Sequence, residues 1–307
     1  MSENVKIGVL GGDRRMLSAL RALSEKYECA VWGFSSVYGG EDEKYLKNTV
    51  RCVDADSAVR ASDAVLLPLP ASRDGEHVLS PLESSSSSAS GGVRLGDIPP
   101  KMKKGALLLG GMIPPIHKRI AAEYGIKTVD YYDSEAFQIL NTVPTAEGAI
   151  AACMNALPIT IAGMRCVVVG YGRVARTLAM RLISLGASVY AAARSERDLS
   201  WARCDGCVPV ELGEFRRAPV VCDAVFNTVP ALIFDEELLG RLAPRCVIFE
   251  LASGCAGIDE SAAEKIGIKT VPLMSLPGKT SPESAGEIIS SSVSDIIGRY
   301  LSGRREL

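Results

Sequence analysis

The sequence predicts an α/β fold: two doubly wound domains with parallel sheets, joined by a connecting helix, with a C-terminal helix returning to the first domain. Three observations predict it. Short apolar runs alternate with helix-length amphipathic segments along the 307 residues, the pattern of parallel strands covered by helices. The chain holds 29 glycines and only 6% aromatic residues, a balance suited to closely packed α/β layers. The two halves also echo each other. Asp63-Ala64-Val65 ending at Leu69-Pro70 is matched by Asp223-Ala224-Val225 ending at Val229-Pro230, and Ala121–Val129 is matched by Ala262–Val271. Two copies of one architecture is the simplest explanation.

Element by element, the first half offers strands at Lys6–Leu10, Cys29–Phe34, Asp63–Leu67, Ala106–Leu109 and Lys127–Val129. The second half offers Arg165–Val169, Ser188–Ala192, Ala224–Asn227, Cys246–Glu250 and Lys269–Val271. Between them runs Asn141-Thr142-Val143-Pro144-Thr145, where Thr145 reads as an N-cap and Glu147 as an acid in the first helical turn. The expected domains are residues 1–142 for substrate or partner, a connecting helix 143–157, a nucleotide-binding domain 158–280, and a C-terminal segment 281–307. That last segment carries Ile289, Val293, Ile296, Ile297 and Tyr300 at helical spacing, a stripe expected to pack on the first domain. Residues 83–92, with the serines Ser84–Ser88, cannot bury a core and read as a surface loop.

Composition excludes several function classes. A net charge of −2 offers no basic field for nucleic acid or an anionic membrane. No apolar run approaches the roughly 20 residues of a membrane span, and the polar start Met1-Ser2-Glu3-Asn4 does not resemble a signal peptide, so a cytoplasmic protein is expected. Nine cysteines are present, and five of them (Cys29, Cys52, Cys166, Cys222, Cys246) sit at or beside apolar runs, as small buried hydrophobes do. Cys204-Asp205-Gly206-Cys207 is the one CxxC. No second pair or neighbouring histidine completes a zinc site, so no metal is expected.

The chemistry-bearing motif is Val167-Val168-Val169-Gly170-Tyr171-Gly172-Arg173-Val174-Ala175, an apolar strand running into G-x-G-x-x-A. Val174, Leu178, Leu182 and Leu185 follow as a helical stripe, and Gly186-Ala187 opens the next strand. In that context Gly170 makes the tight turn, Gly172 lets backbone approach a pyrophosphate, and Ala175 permits close helix–strand packing: a Rossmann-like dinucleotide site. An NAD site would place Asp or Glu at the end of the following strand. Here that strand ends Ala193-Arg194-Ser195, and Arg194 and Ser195 suit the 2′-phosphate of NADP, with Arg197 as a second cation. NADP is the expected cofactor. Asn227-Thr228-Val229-Pro230 and Leu251-Ala252-Ser253 follow neighbouring strands and are expected to line the same nucleotide.

The first half begins Gly8-Val9-Leu10-Gly11-Gly12-Asp13-Arg14-Arg15, without the G-x-G spacing and with Asp13 facing any phosphate, so it is not expected to bind a dinucleotide. Substrate candidates are Gly12, Asp13, Arg14, Asn141, Thr142, Pro144, Thr145 and Lys279. Arg14, Arg15 and Lys279 supply the cations that an acidic substrate needs, and a surface or structural role for each stands beside this one. Only His77 and His117 exist, neither with a periodic acidic partner, and both are read as non-catalytic. Glu147 and Lys279 remain the candidates for moving a proton.

Six segments in this order, Gly11-Gly12-Asp13-Arg14, Asn141-Thr142-Val143-Pro144-Thr145-Ala146-Glu147-Gly148, Gly170-Tyr171-Gly172-Arg173, Ala193-Arg194-Ser195, Asn227-Thr228-Val229-Pro230 and Leu276-Pro277-Gly278-Lys279, resemble the family of dipicolinate synthase A subunits. The likeness spans nearly the whole chain. The serine-rich loop and Gly110-Gly111-Met112-Ile113-Pro114 depart from the family pattern. The resemblance implies oxidation of dihydrodipicolinate, a small dicarboxylate, to dipicolinate in spore formation, beside a second subunit resembling a flavoprotein. Assembly with further copies of the chain is also expected. Two other readings fit the residues: an NADP-dependent dehydrogenase of another small amino or hydroxy acid, and a non-catalytic NADP-binding regulatory subunit.

Overall fold

A computed structural model of the chain describes residues 5–83, 92–252, 254 and 257–303. Most of the serine-rich segment, together with Ser253 and Cys255, lies outside them. The chain divides into two compact units, residues 1–140 with 281–307, and residues 141–280.

In the N-terminal unit the elements run β1 (Lys6–Leu10), α1 (Arg14–Ser24), β2 (Glu28–Trp32), β3 (Thr49–Arg51), α2 (Ala55–Ala61), β4 (Ala64–Leu66), β5 (Leu107–Gly110), α3 (Pro115–Glu123), β6 (Lys127–Asp130) and α4 (Glu135–Leu140). In the C-terminal unit they run α5 (Thr142–Ala156), β7 (Arg165–Val169), α6 (Arg173–Ser184), β8 (Ser188–Ala193), α7 (Glu196–Cys204), β9 (Val208–Glu211), α8 (Leu212–Arg217) and β10 (Ala224–Asn227). They continue through α9 (Glu236–Leu239), β11 (Val247–Glu250), α10 (Glu260–Ile266), β12 (Lys269–Pro272) and α11 (Leu276–Thr280). The chain then returns to the N-terminal unit as α12 (Pro282–Leu301).

Both sheets are six-stranded, with strand orders β3-β2-β1-β4-β5-β6 and β9-β8-β7-β10-β11-β12. Every pairing is parallel. Each sheet therefore has the Rossmann order with its reversal at the first strand, and the two-domain α/β class expected from the sequence is the observed one. The apolar pattern does not lead to β3 or β9. They are the outer strands on the same side of each sheet, half-exposed, and β9 carries Pro209, which argues against a strand in the pattern alone.

The repeat extends to single hydrogen bonds. Asp63 accepts from the Lys6 amide through its carboxylate at 3.0 Å, and Asp223 accepts from the Arg165 amide in the same way at 3.0 Å. The carbonyls of these two acids accept from Leu107 and Val247, both at 3.1 Å. Gly125 and Gly267, at φ of 67° and 83°, turn the chain out of α3 and α10 into the next strand, where a left-handed conformation favours glycine.

Each sheet is buried on both faces. In the C-terminal unit, α5, α6 and α11 supply Ala149, Cys153, Leu178, Leu182 and Leu276 to one core, while α8, α9 and α10 supply Phe215, Leu238, Leu239 and Ala263 to the other. In the N-terminal unit, Met16, Leu20 and Leu23 of α1 share a core with Ile289, Val293 and Ile297 of α12, the stripe legible in the sequence. The two helices approach closely because residue 286 is glycine: a Cβ there would lie 2.5 Å from the Arg15 carbonyl oxygen.

One local expectation is corrected. Thr145 does not cap a helix, because α5 begins at Thr142, directly after α4 and the turn residue Asn141. Pro144 suggests a boundary in sequence, yet it occupies the first helical turn, where an amide hydrogen has no intrahelical partner to lose. The Thr145 hydroxyl donates back to the Asn141 carbonyl at 2.8 Å. Thr142 is buried with its hydroxyl 2.8 Å from that of Thr177, and Pro144 is buried too, so this stretch is packed helix rather than an open linker.

Candidate functional site

The cleft at the carboxyl edge of the C-terminal sheet is built by three strand ends. Gly170, with φ of 87°, turns the chain sharply after β7, and a Cβ there would meet Thr228 Oγ1 at 2.6 Å. The turn is closed from the other side by Thr228, whose hydroxyl donates to the Val169 carbonyl at 2.8 Å. Gly172 is the N-cap of α6, and a Cβ at this position would meet nothing within 4 Å. No side chain caps α6 and no acid sits in its first turn. The amides of Val174 and Ala175 and the positive end of the helix dipole therefore remain available to an anion.

These elements enclose a cleft of about 450 Å³ lined by Gly170–Ala175, Ala192–Ser195, Asp198, Leu212 and Thr228–Pro230. Of the expected cofactor residues, Gly170, Tyr171, Gly172, Arg173, Val174, Ala193, Arg194, Ser195, Thr228, Val229 and Pro230 meet here. The Tyr171 side chain is buried and points its hydroxyl at Asp205 (3.1 Å) and Cys207 (3.4 Å), so Tyr171 offers the cleft mainly backbone. Arg194 is exposed at the cleft. Ser195 caps α7, accepting from the Asp198 amide at 3.1 Å, which leaves its own hydroxyl proton free to donate.

Other expected residues lie elsewhere. Arg197 does not line the cleft. It is largely exposed, with its guanidinium 3.7 Å from Asp198, so it partners that acid. Asn227, Leu251 and Ala252 are also outside the lining, and Ser253 falls outside the described residues. Asn227 is fully buried and donates to the Glu250 carboxylate at 2.9 and 3.1 Å, while Glu250 also accepts from the Ala252 amide at 2.9 Å. Burial pushes the Glu250 carboxyl above the ordinary range, opposed by those two donors. The pair ties together the loops that leave β10 and β11. Four lining residues are not among those expected: Ala175 and Ala192, which flank the predicted turn and strand end, and Leu212 and Asp198. Leu212 follows β9, a strand without an apolar signal, and Asp198 lies one turn beyond the strand end where an NAD site would carry its acid.

The corresponding turn in the N-terminal unit is closed. Gly11 has the conformation of Gly170, at φ of 61°, but a Cβ there would meet the Leu79 carbonyl oxygen at 2.7 Å and Ser80 at 3.0 Å. Where α6 has Gly172, α1 has Asp13, whose carboxylate accepts from the Arg15 amide at 3.0 Å and pairs with its guanidinium at 2.8 Å. A carboxylate already holds that helix end, so a phosphate would meet repulsion.

Among the substrate candidates, Gly12 packs against Met16, Arg14 is exposed in the first turn of α1, and Lys279 is exposed on α11. Asn141 and Thr145 are half-buried at the start of α5. Glu147 is paired with Arg181 at 3.2 Å. The expectation that the histidines lack acidic partners is corrected for His77, whose Nδ1 lies 2.8 Å from Asp74. His117 Nε2 is 2.8 Å from the Gly75 carbonyl of the same loop. The glycines before Met112 have a packing reason: Asp130 accepts from the Met112 and Ile113 amides at 2.9 and 2.8 Å and pairs with Lys118, and a Cβ at residue 111 would strike Leu69 and Tyr131. Among the described residues no group of three or more His, Cys, Asp or Glu side chains could hold a metal ion, and no helix is long and apolar enough to cross a membrane.

Residues 6–132 match the family model of the N-terminal domain of the dipicolinate synthase A subunit. Over 298 residues the chain is 30% identical to the dipicolinate synthase A subunit of Bacillus subtilis, covering 97% of each protein. The chain belongs to the family of dipicolinate synthase A subunits. The crystal structure of the Bacillus subtilis protein superposes with a TM-score of 0.85 at 28% identity, covering 98% of both chains. The fold is shared more widely: a transhydrogenase from Sinorhizobium meliloti matches with a TM-score of 0.67 at 13% identity, over 95% of this chain and 92% of that one. The two-unit Rossmann-like fold is thus shared within the family and beyond it.

Proposed function

We propose that the chain is the NADP-binding subunit of a dipicolinate synthase, acting in the oxidation of dihydrodipicolinate to dipicolinate during spore formation, with a flavoprotein-like second subunit. The observation that carries this reading is the open, uncapped turn at Gly172 with Arg194 and Ser195 beside it. A dinucleotide needs space against the backbone and amide donors for its diphosphate; the turn offers the space, and Val174 and Ala175 offer the amides. The Arg194 guanidinium and the Ser195 hydroxyl match the charge and acceptor pattern of a 2′-phosphate. Asp198 opposes that charge, but Arg197 pairs with it and partly offsets it. When bound, NADP supplies the acceptor for a hydride.

The remaining chemistry is modest. Removing a hydride and a proton from a dihydropyridine ring restores aromaticity, so the driving force lies in the substrate. Lys279, exposed on α11, is the proposed partner of a substrate carboxylate. Of the two proton-transfer candidates Lys279 is preferred, because Glu147 is engaged with Arg181.

The test mixes the purified chain with freshly prepared dihydrodipicolinate and NADP, alone and with its second subunit, and follows NADPH by absorbance. NADPH formation under either condition is the expected result. Its absence in both, with NADP binding intact, would favour a nucleotide-binding regulatory subunit. NADPH formed only from another amino or hydroxy acid would replace the substrate.

A further inference from the structure

The N-terminal sheet has a second cleft, of about 430 Å³, lined by Trp32, Gly33, Phe34, Ser35 and Tyr38 after β2, by Arg51, Cys52 and Val53 at and after β3, and by Glu83. Its position in the sheet corresponds to one half of the C-terminal cleft. There, the ends of β8 and β9 bring Arg194, Ser195 and Leu212 to the side that a dinucleotide fills with its adenosine. In the N-terminal unit the phosphate half of this arrangement is filled by Leu79, Ser80 and the Asp13 cap, while the half beyond β2 and β3 is open.

The lining has the chemistry of a nucleoside site. The Arg51 guanidinium lies 4.7 Å from the centre of the Tyr38 ring, and Trp32 faces the same space, giving planar surfaces on which a base can stack. A carboxylate stands where Rossmann sites hold ribose hydroxyls, just past the end of the second strand. It is Glu83, delivered from a distant segment and fixed there: it accepts from the Ser35 amide at 3.2 Å, and the neighbouring Ser36 amide donates to the Leu82 carbonyl at 3.0 Å. One acid used as a ribose acceptor and no open phosphate cradle together select against a phosphorylated ligand.

We propose that this cleft binds a purine nucleoside, such as adenosine, through stacking on Trp32, Tyr38 and Arg51 and hydrogen bonds from the ribose hydroxyls to Glu83. The site is separate from the NADP cleft and does not depend on it. The experiment is equilibrium dialysis of the full chain against labelled adenosine, repeated with excess NADP and with Arg51→Ala and Glu83→Gln, each variant checked for folding by circular dichroism. Arg51 is exposed on an outer strand, so its replacement should leave the fold intact. The expected result is saturable binding that weakens ten-fold or more in Arg51→Ala and in Glu83→Gln and is unchanged by excess NADP. Adenosine 5′-monophosphate should bind no more tightly than adenosine. No saturable binding at millimolar adenosine overturns the proposal. So does binding that excess NADP abolishes and both variants keep, which would assign it to the C-terminal cleft, or a monophosphate bound ten-fold more tightly than adenosine.

Discussion

Two glycines separated by a single residue do different work, and substitution separates them. Gly170 has φ of 87° and is hemmed by Thr228 and Val229, so Gly170→Ala forces a left-handed alanine into a crowded turn. Unfolding in denaturant should show a loss of about 1–3 kcal/mol, the cost of a strained backbone residue. Gly172 has φ of −80° and faces open space, so Gly172→Val should leave the unfolding midpoint nearly unchanged while abolishing nucleotide binding. A valine variant that binds NADP normally would remove the turn from the cofactor site. Glu250 offers a pH test. Its carboxyl is raised by burial, so the folded chain holds a proton that the unfolded chain releases at the ordinary glutamate value of about 4.3. Stability contributed by this group is therefore present at low pH and falls as pH rises from that value through the raised one. Melting temperatures of the wild type and Glu250→Gln, compared across that window, should show the downward contribution only in the wild type; parallel curves would show that Glu250 titrates normally. No local pattern announces this pair, because Asn227 and Glu250 are 23 positions apart and meet only when β10 and β11 align.

At the level of elements, what the sequence reveals depends on burial. Strands such as β10 and β11, buried throughout, read directly as apolar runs, whereas β3 and β9 at the sheet edges lack that signal. The glycine turn and the strand end at Arg194 are legible because backbone conformation and charge are written locally. The neighbours supplied by α7 and α8 are not, since they enter the cleft through tertiary packing. The start of α5 is obscured for a related reason: proline marks a helix end in sequence, but within a first turn it costs no hydrogen bond. Thr142→Val should then destabilise the C-terminal unit by about 1 kcal/mol by leaving the Thr177 hydroxyl without its partner. Helix α12 gives a larger effect. Ending the chain at Thr280 removes Ile289, Val293 and Ile297 from the N-terminal core. At about 1.5–3 kcal/mol for each buried aliphatic side chain, the loss approaches the whole stability of a typical domain. Scanning calorimetry of the truncated chain should show the N-terminal transition lost or strongly lowered and that of residues 141–280 retained. A single transition at the wild-type temperature would contradict this division.

Across the whole molecule, one architecture appears twice with the same strand order and the same acid-to-amide contact at the sheet centre, yet the two copies treat their glycine turns in opposite ways. The C-terminal copy leaves the turn open and its helix uncapped. The N-terminal copy fills the turn with residues 79 and 80 and seals the helix with Asp13. NADP should therefore bind once per chain, in the C-terminal unit, and Arg194 should decide the choice of nucleotide. Calorimetric titration of the full chain with NADP and with NAD, repeated on Arg194→Ala, tests this most directly. The expected result is one NADP per chain, bound more tightly than NAD, with the substitution removing about 1.5–3 kcal/mol of NADP affinity, the range for hydrogen bonds to charged groups, and leaving NAD nearly unaffected. Two NADP molecules per chain, NAD bound as tightly as NADP, or an equal loss for both nucleotides in Arg194→Ala would contradict it.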